Sequence, residues 1–277
     1  MGVKWVAVDI DGTLLDSSGR IPEGNIKAIN QVINCGVRVI LVTGRRLSGA
    51  LWVAKTLGLS SPLIVHNGAM IRSSEESRRF ADWFLQSKVA RSILKVTESF
   101  VDCTGLHKDR SLSGQIVVCS QFKANGPLHA YLSRVSESVV LVKSLKDEVD
   151  DDLIQIMFSG SIDLMDAVEE CIQESGLLEE VKIAKTYYKK RNLGIVDVLN
   201  KDCSKYRALR FLADSNQINP ANILAIGDNY SDLEMLEYAG VGVVMANCVE
   251  ELKGRGFYLT ASNDDLGVAK ALNQFVL

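Results

Sequence analysis

The chain has 277 residues, 47% of them hydrophobic and 23% charged, with a formal net charge of -3. A globular protein of one large domain or two ordinary ones is expected from that length and apolar content. The near-balanced charge gives no global field for nucleic acid or an anionic membrane, and no apolar stretch approaches the ~20 residues needed to span a bilayer, so neither partner is expected.

The first predicted element is the strand Val6-Ala7-Val8, which ends on Asp9-Ile10-Asp11-Gly12-Thr13. An uninterrupted apolar run reads as a strand buried on both faces, and ligands bind at the carboxyl ends of such strands in open α/β sheets. Side chains two apart in an extended segment share a side, so Asp9 and Asp11 can face one site. Asp11-Gly12 also suits a type I′ hairpin turn, although the residues after Thr13 do not alternate like a returning strand. The strand begins so early that no targeting peptide is expected ahead of it.

A helix follows from Pro22-Glu23 through Ile26, Ile29 and Ile33, stopping before Gly36. Then come the strand Val37–Val42, a helix over Leu47–Leu57 and the strand Leu63–Val65. The polar run from Arg72 to Arg79 breaks this pattern, and the character changes beyond it. Gln115–Cys119, Val139–Val142 and Ile154–Phe158 read as short strands, and Leu164–Ser175 as an amphipathic helix. Strands at Ile223–Ile226 and Val241–Met245, with helices at Ser204–Ala213, Asp232–Tyr238 and Asp264–Phe275, restore the first pattern. The predicted fold class is therefore α/β: a doubly wound, mostly parallel, Rossmann-like core sheet formed by residues 1–78 and 190–277. Residues 79–189 are expected to form an inserted α+β domain.

Six scattered cysteines form no Cys-x-x-Cys pair and have no His placed to complete a zinc cluster, so they read as reduced thiols in a cytoplasmic protein. Lys185 to Arg191 mixes cations with tyrosines and reads as a solvated strand face, with anion binding as the alternative. The acidic run Asp147–Asp152 reads as a solvated loop, and His66 as structural.

Four separated motifs sit just after predicted strands or at a helix start. Besides Asp9-x-Asp11-Gly12-Thr13 there is Thr43-Gly44-Arg45, where a hydroxyl and a small-residue amide can hold phosphate oxygens before a helix begins. Lys205 opens another helix as a point charge suited to phosphate. Gly227-Asp228-Asn229-Tyr230-Ser231-Asp232 puts carboxylates after the Ile223–Ile226 strand. With His66-Asn67-Gly68-Ala69, Met245-Ala246-Asn247 and the closing Asn263 to Ala269 string, the chain resembles the haloacid dehalogenase superfamily. Within it the chain is similar to the Cof-type phosphatases with a large inserted cap.

That resemblance implies a phosphatase in which Asp9 is the nucleophile and Asp11 the general acid. Thr43, Gly44 and Lys205 would hold the phosphoryl group. Mg²⁺ would be bound by the Asp9 carboxylate, the Asp11 carbonyl and the Asp228 carboxylate. Asp232 and Ser231 would orient a water or the Lys205 ammonium, and Arg45 and Asn67 would touch substrate or cap. The substrate class implied is a small phosphorylated metabolite, by default a sugar phosphate, with flavin mononucleotide or pyridoxal phosphate as others. A phosphomutase or phosphotransferase, or a binding protein on the same fold, remains open. Ser231 replaces the family's usual Asn, Tyr206 its usual Gly, and Leu266 an acidic residue. Neither the particular ester nor the oligomeric state is legible.

Overall fold

The computed structural model describes residues 2–74, 78–110, 114–120, 138–188 and 192–277. Contacts divide the chain into two compact units, Met1–Asp82 with Ser204–Leu277, and Trp83–Cys203.

The first unit contains β1 (Trp5–Val8), β2 (Arg38–Leu41), β3 (Leu63–Val65), β4 (Met70–Arg72) and β5 (Arg79–Asp82), and later β12 (Ile223–Gly227), β13 (Val241–Val244) and β14 (Tyr258–Leu259). Its main sheet is five-stranded in the order β14-β13-β12-β1-β2, and every pairing in it is parallel. β1 and β12 are buried along their whole length, as their unbroken apolar runs require when both faces are covered. Because β1 pairs in parallel on both sides, the hairpin alternative for Asp11-Gly12 does not hold. Val42 bridges Ile64 beyond β2, and β3-β4-β5 forms a separate antiparallel sheet.

The helices α1 (Glu23–Asn34), α2 (Leu47–Thr56), α5 (Lys205–Ser215), α6 (Leu233–Tyr238) and α7 (Gly267–Phe275) belong to this unit. Asn25 ties α1 to its surroundings, donating to the Leu14 carbonyl at 3.2 Å and accepting from the Ala269 N–H at 3.0 Å. The predicted helix Asp264–Phe275 is interrupted, because Leu266 takes a left-handed conformation (φ 61°) between a short turn at Asn263–Asp265 and α7. A non-glycine residue in that region ends a regular helix.

The second unit carries α3 (Ser87–Val96), α4 (Ile162–Glu174) and a six-stranded sheet in the order β10-β11-β9-β6-β7-β8. Its strands are β6 (Thr104–Lys108), β7 (Gln115–Cys119), β8 (Val139–Val142), β9 (Leu153–Gly160), β10 (Val181–Tyr188) and β11 (Leu193–Asn200). Ser161 caps α4 by accepting from the Leu164 N–H at 3.3 Å. One face of the sheet supplies Leu106, Val117, Ile156, Phe158, Val196 and Val198 to a core shared with Ile93 of α3 and Met165 and Val168 of α4.

The division falls at 82/83 and 203/204, rather than at the expected 78/79 and 189/190. β11 pairs with both β10 and β9, so Leu193–Asn200 belongs to the second unit's sheet. Nor is Asp147–Asp152 a plain solvated loop. The fully buried Lys108 ammonium lies 2.5 Å from Asp150 and 3.5 Å from Asp152, and Arg110 joins them. Lys185 pairs with Glu169 at 2.7 Å and Tyr187 donates to Asp166, so these two face α4. Lys189, Lys190 and Arg191 lie outside the described residues.

Candidate active site

Asp9 is the first residue after β1, only 4% exposed, with its N–H donating to the Ile226 carbonyl at 3.0 Å. Its Oδ1 accepts from Lys205 Nζ at 2.7 Å, and the same ammonium donates to Asp232 Oδ1 at 2.7 Å. Lys205 is the first residue of α5, behind Ser204, whose hydroxyl caps that helix by accepting from the Arg207 N–H. Two partners 196 and 27 positions distant thus hold one buried cation.

Asp232 is completely buried and fully engaged. Its second oxygen accepts the backbone N–H groups of Asp228 and Asn229, both at 3.0 Å. It therefore sets the loop that aims Asp228. Asp228 in turn accepts from Thr13 Oγ1 at 2.9 Å, which locks the loop after β12 to the loop after β1. Gly12 makes this approach possible: a Cβ there would lie 2.3 Å from Asp228 Oδ2, and the residue's φ is +77°.

The carboxylate oxygens of Asp9, Asp228 and Asp232 come within 4.8 Å of one another. Three acids around one ammonium leave an excess of negative charge. Burial first, and then neighbouring carboxylates against the opposing Lys205, push Asp9 well above the usual carboxylate range. Burial and Asp232 push Asp228 up to about 7. Lys205 is raised by Asp232 and Asp9, although its own burial opposes the shift.

Mg²⁺ fits this donor set, being a hard cation that takes oxygen ligands. Asp9 and Asp228 each have one oxygen held by the protein and a second with no hydrogen-bond partner among the described residues. Asp232 has both oxygens occupied, one by Lys205 and the other by the backbone N–H groups of Asp228 and Asn229. Ser231 lies in the short turn Tyr230–Asp232, one residue before Asp232.

Thr43 follows Val42, whose N–H donates to the Val8 carbonyl at 3.0 Å, so it ends the strand beside Asp9. Its Oγ1 accepts from the Arg45 N–H at 3.1 Å, leaving the hydroxyl proton to donate elsewhere. Asn67 packs against Gly44, where an added Cβ would sit 2.9 Å from Asn67 Oδ1. At Gly68 (φ +95°) a Cβ would fall 2.2 Å from the Ser204 carbonyl. The Asn67-Gly68 turn thus wedges between the Thr43-Gly44 loop and the start of α5, which is a supporting role.

Arg45 lies on Asp11. Its Nη2 and Nε donate to the two Asp11 oxygens at 2.6 and 2.7 Å in a bidentate fork. The guanidinium also lies over the Trp52 ring, 5.8 Å from its centroid. Arg46 is buried, with Nη2 donating to Ser48 Oγ at 3.2 Å. Tyr206 is turned outward against the Tyr238 ring and accepts from Arg210, so this departure from the family pattern leaves the Lys205 contacts intact.

Sequence reasoning gave no role to Thr13, Asn247 or Asn263. Asn247 Nδ2 donates to the Gly12 carbonyl at 2.8 Å, and Asn263 braces the same loop through the Leu15 carbonyl at 2.9 Å. The signal was present in the quoted strings, but nothing in their spacing indicated which loop they support.

A parallel α/β sheet with a second unit inserted between its halves, and an acid cluster around a buried lysine at its strand ends, defines a class of hydrolases. The chain belongs to the haloacid dehalogenase-like hydrolase family, whose sequence profile matches residues 6–272. It is 30% identical over 279 residues to the stress response protein YhaX of Bacillus subtilis, covering 99% of this chain and 94% of that protein. It is 29% identical over 306 residues to the 5-amino-6-(5-phospho-D-ribitylamino)uracil phosphatase YwtE of the same organism, covering 99% and 98%. A haloacid dehalogenase-like hydrolase from Bacteroides thetaiotaomicron shares the fold with a TM-score of 0.79 at 22% identity, covering 98% and 99%.

Proposed function

We propose that this protein is a Mg²⁺-dependent phosphatase that hydrolyses a small phosphorylated metabolite through an aspartyl-phosphate on Asp9. The observation that carries the reading is the fixing of Asp9 by Lys205 beside Asp228, with an oxygen of each acid left over. Asp9 and Asp228, with the Asp11 carbonyl, would hold Mg²⁺. Bound there, the ion would offset the charge of the carboxylate nucleophile and the phosphate dianion together.

In the first step an Asp9 oxygen forms a bond to phosphorus as the ester oxygen departs, and Asp11 gives its proton to that oxygen. In the second, Asp11 takes a proton from water, the hydroxide oxygen bonds to phosphorus, and the Asp9–phosphorus bond breaks to release inorganic phosphate. Thr43 and the Gly44 amide hold phosphoryl oxygens, and Lys205 stabilises the charge that moves. The fork from Arg45 uses both Asp11 oxygens as acceptors, which suits the ionised, base form. A protonated Asp11 gives up one of those bonds.

The unit Trp83–Cys203 recognises the organic part of the ester, and the cytoplasm is the proposed compartment. Phosphorylated sugars and polyols are the leading substrates, a class to which the substrate in YwtE's name belongs through its phosphoribityl chain. Phosphate release from sugar phosphates, flavin mononucleotide, pyridoxal phosphate and an aryl phosphate, with Mg²⁺ and with a chelator, tests the reading. Wild type should outpace Asp9→Asn by orders of magnitude, and equal rates would sink the proposal. Product analysis with sugar acceptors present separates hydrolysis from phosphoryl transfer.

A further inference from the structure

Helix α2 starts directly after the Thr43-Gly44-Arg45 loop, with Arg46 at its N-cap position and no side chain capping it. The Ala50 N–H makes the first bond of the helix, to the Arg46 carbonyl at 3.1 Å, so the N–H groups of Leu47, Ser48 and Gly49 have no partner inside it. Arg46 is 9% exposed, and its guanidinium lies on this turn, with Nη2 donating to Ser48 Oγ at 3.2 Å. Nη1 is buried without an acceptor, and no carboxylate pairs with Arg46 among the described residues. Arg45 sits on the same turn, its Nη1 reaching the Gly49 carbonyl at 3.4 Å, but its charge is met by Asp11.

A guanidinium shut away from water without an anion is strongly unfavourable. Its place makes the cost larger, because the start of a helix carries about half a positive charge and favours anions, whereas cations belong at the other end. Arg46 thus brings a charge of the wrong sign for the helix to a turn whose donors are uncapped. A bound oxyanion meets the unpaired nitrogen, the helix charge and the spare N–H groups together. Ser48 and Gly49 are only partly buried, so the turn is open to a ligand. It also lies on the leaving-group side of the proposed chemistry, since Arg45 links Gly49 directly to Asp11, the residue that protonates the departing oxygen.

We propose that Arg46, Ser48 and the first-turn N–H groups of α2 form an anion subsite for a second acidic group, a carboxylate or a phosphate, on the organic part of the ester. This rests on the phosphatase reading above. It narrows the substrate class to bisphosphates and phosphorylated sugar acids, in preference to neutral sugar monophosphates. The planar guanidinium fits either oxyanion, and a neutral hydroxyl in the same place leaves the buried charge unmet. A free oxyanion offers the same chemistry as a second acidic group, and the two sources are separated by experiment.

The test compares kcat and KM within two matched pairs, 6-phosphogluconate with sorbitol 6-phosphate and fructose 1,6-bisphosphate with fructose 6-phosphate, in wild type, Arg46→Met and Ser48→Ala. Thermal unfolding of each protein is measured alongside, with and without inorganic sulfate. Wild type should favour the acidic member of at least one pair by about ten-fold or more in kcat/KM. Arg46→Met should bring that ratio to within about two-fold, mainly through KM for the acidic ester, and Ser48→Ala should lower it less. Arg46→Met should unfold no earlier than wild type without sulfate, since it removes an unpaired buried charge. No preference in wild type, or equal losses on both members of a pair, would overturn the inference. No preference together with sulfate protection that Arg46→Met loses would give the turn to a free oxyanion and overturn the substrate role. If wild type cleaves p-nitrophenyl phosphate but none of the four esters, this inference fails and the phosphatase reading stands. If it cleaves none of the five, both fail.

Discussion

Lys205 Nζ lies 2.7 Å from Asp9 Oδ1 although 196 positions separate them in sequence. The bond is formed by the first residue of α5 reaching the first residue beyond β1, and both partners are almost fully buried. It fixes one oxygen of the proposed nucleophile and leaves the other to react.

Removing that cation strands Asp9 and Asp232 as buried acids. Lys205→Met should therefore lose about 3–5 kcal/mol of stability in urea unfolding. Its raised pKa means that Lys205's contribution is present below its ordinary range and is lost only as pH rises above it, so the deficit should persist at neutral pH. Activity should fall by at least about a thousand-fold, since both the grip on Asp9 and the charge offset disappear. A stable, active Lys205→Met would show that the ion pair is incidental.

Asp228 carries the metal prediction. Millimolar Mg²⁺ should raise the wild-type melting temperature by roughly 5 °C, because binding to the native state alone stabilises it by mass action. Asp228→Asn should abolish that shift while retaining the Thr13 hydrogen bond through its amide oxygen. An undiminished shift in the variant would place the ion elsewhere.

Asp197 predicts a pH effect on stability. Its native pKa of about 7 lies above the ordinary carboxylate value, so the native state keeps a proton that the unfolded chain releases. The contribution is full below about pH 4 and is lost as pH rises towards 7, on the order of 4 kcal/mol at most. Asp197→Asn should flatten this decline when urea unfolding is compared at about pH 5 and about pH 8. Identical slopes in the two proteins would mean that Asp197 does not titrate there.

Arg45 tests how Asp11 is aimed. The Asp11 side chain is 52% exposed, so packing restrains it little and the guanidinium fork provides the restraint. Arg45→Lys keeps the charge but loses the planar fork, and kcat should drop by about ten-fold with KM nearly unchanged. A change confined to KM would instead make Arg45 a substrate contact, as the sequence had suggested.

The parallel sheet was legible because β1 and β12 are buried on both faces and so read as unbroken apolar runs ending in acids. β11 was not read as part of the inserted unit, since Leu193–Asn200 has no local feature that selects β9 and β10 as its partners. Asp9, Asp11 and Asp228 stood out through their strand-end position, and Lys205 through its helix start. The Arg45–Asp11 fork, the Thr13–Asp228 bond and the Gln155–Asp197 bond are relations between distant segments. Spacing along the chain carries no record of them. Leu266 likewise continued a helical pattern in sequence, whereas its left-handed backbone breaks the helix.

The central claim is covalent attack by Asp9. Acid quenching during turnover of p-nitrophenyl phosphate with Mg²⁺, followed by proteolysis and mass spectrometry, reads it directly. The account predicts one added phosphoryl group on the peptide carrying Asp9 in wild type, and none in Asp9→Asn. Steady phosphate release with no phosphorylated Asp9 at any quench time, matched by a fully active Asp9→Asn, would contradict it.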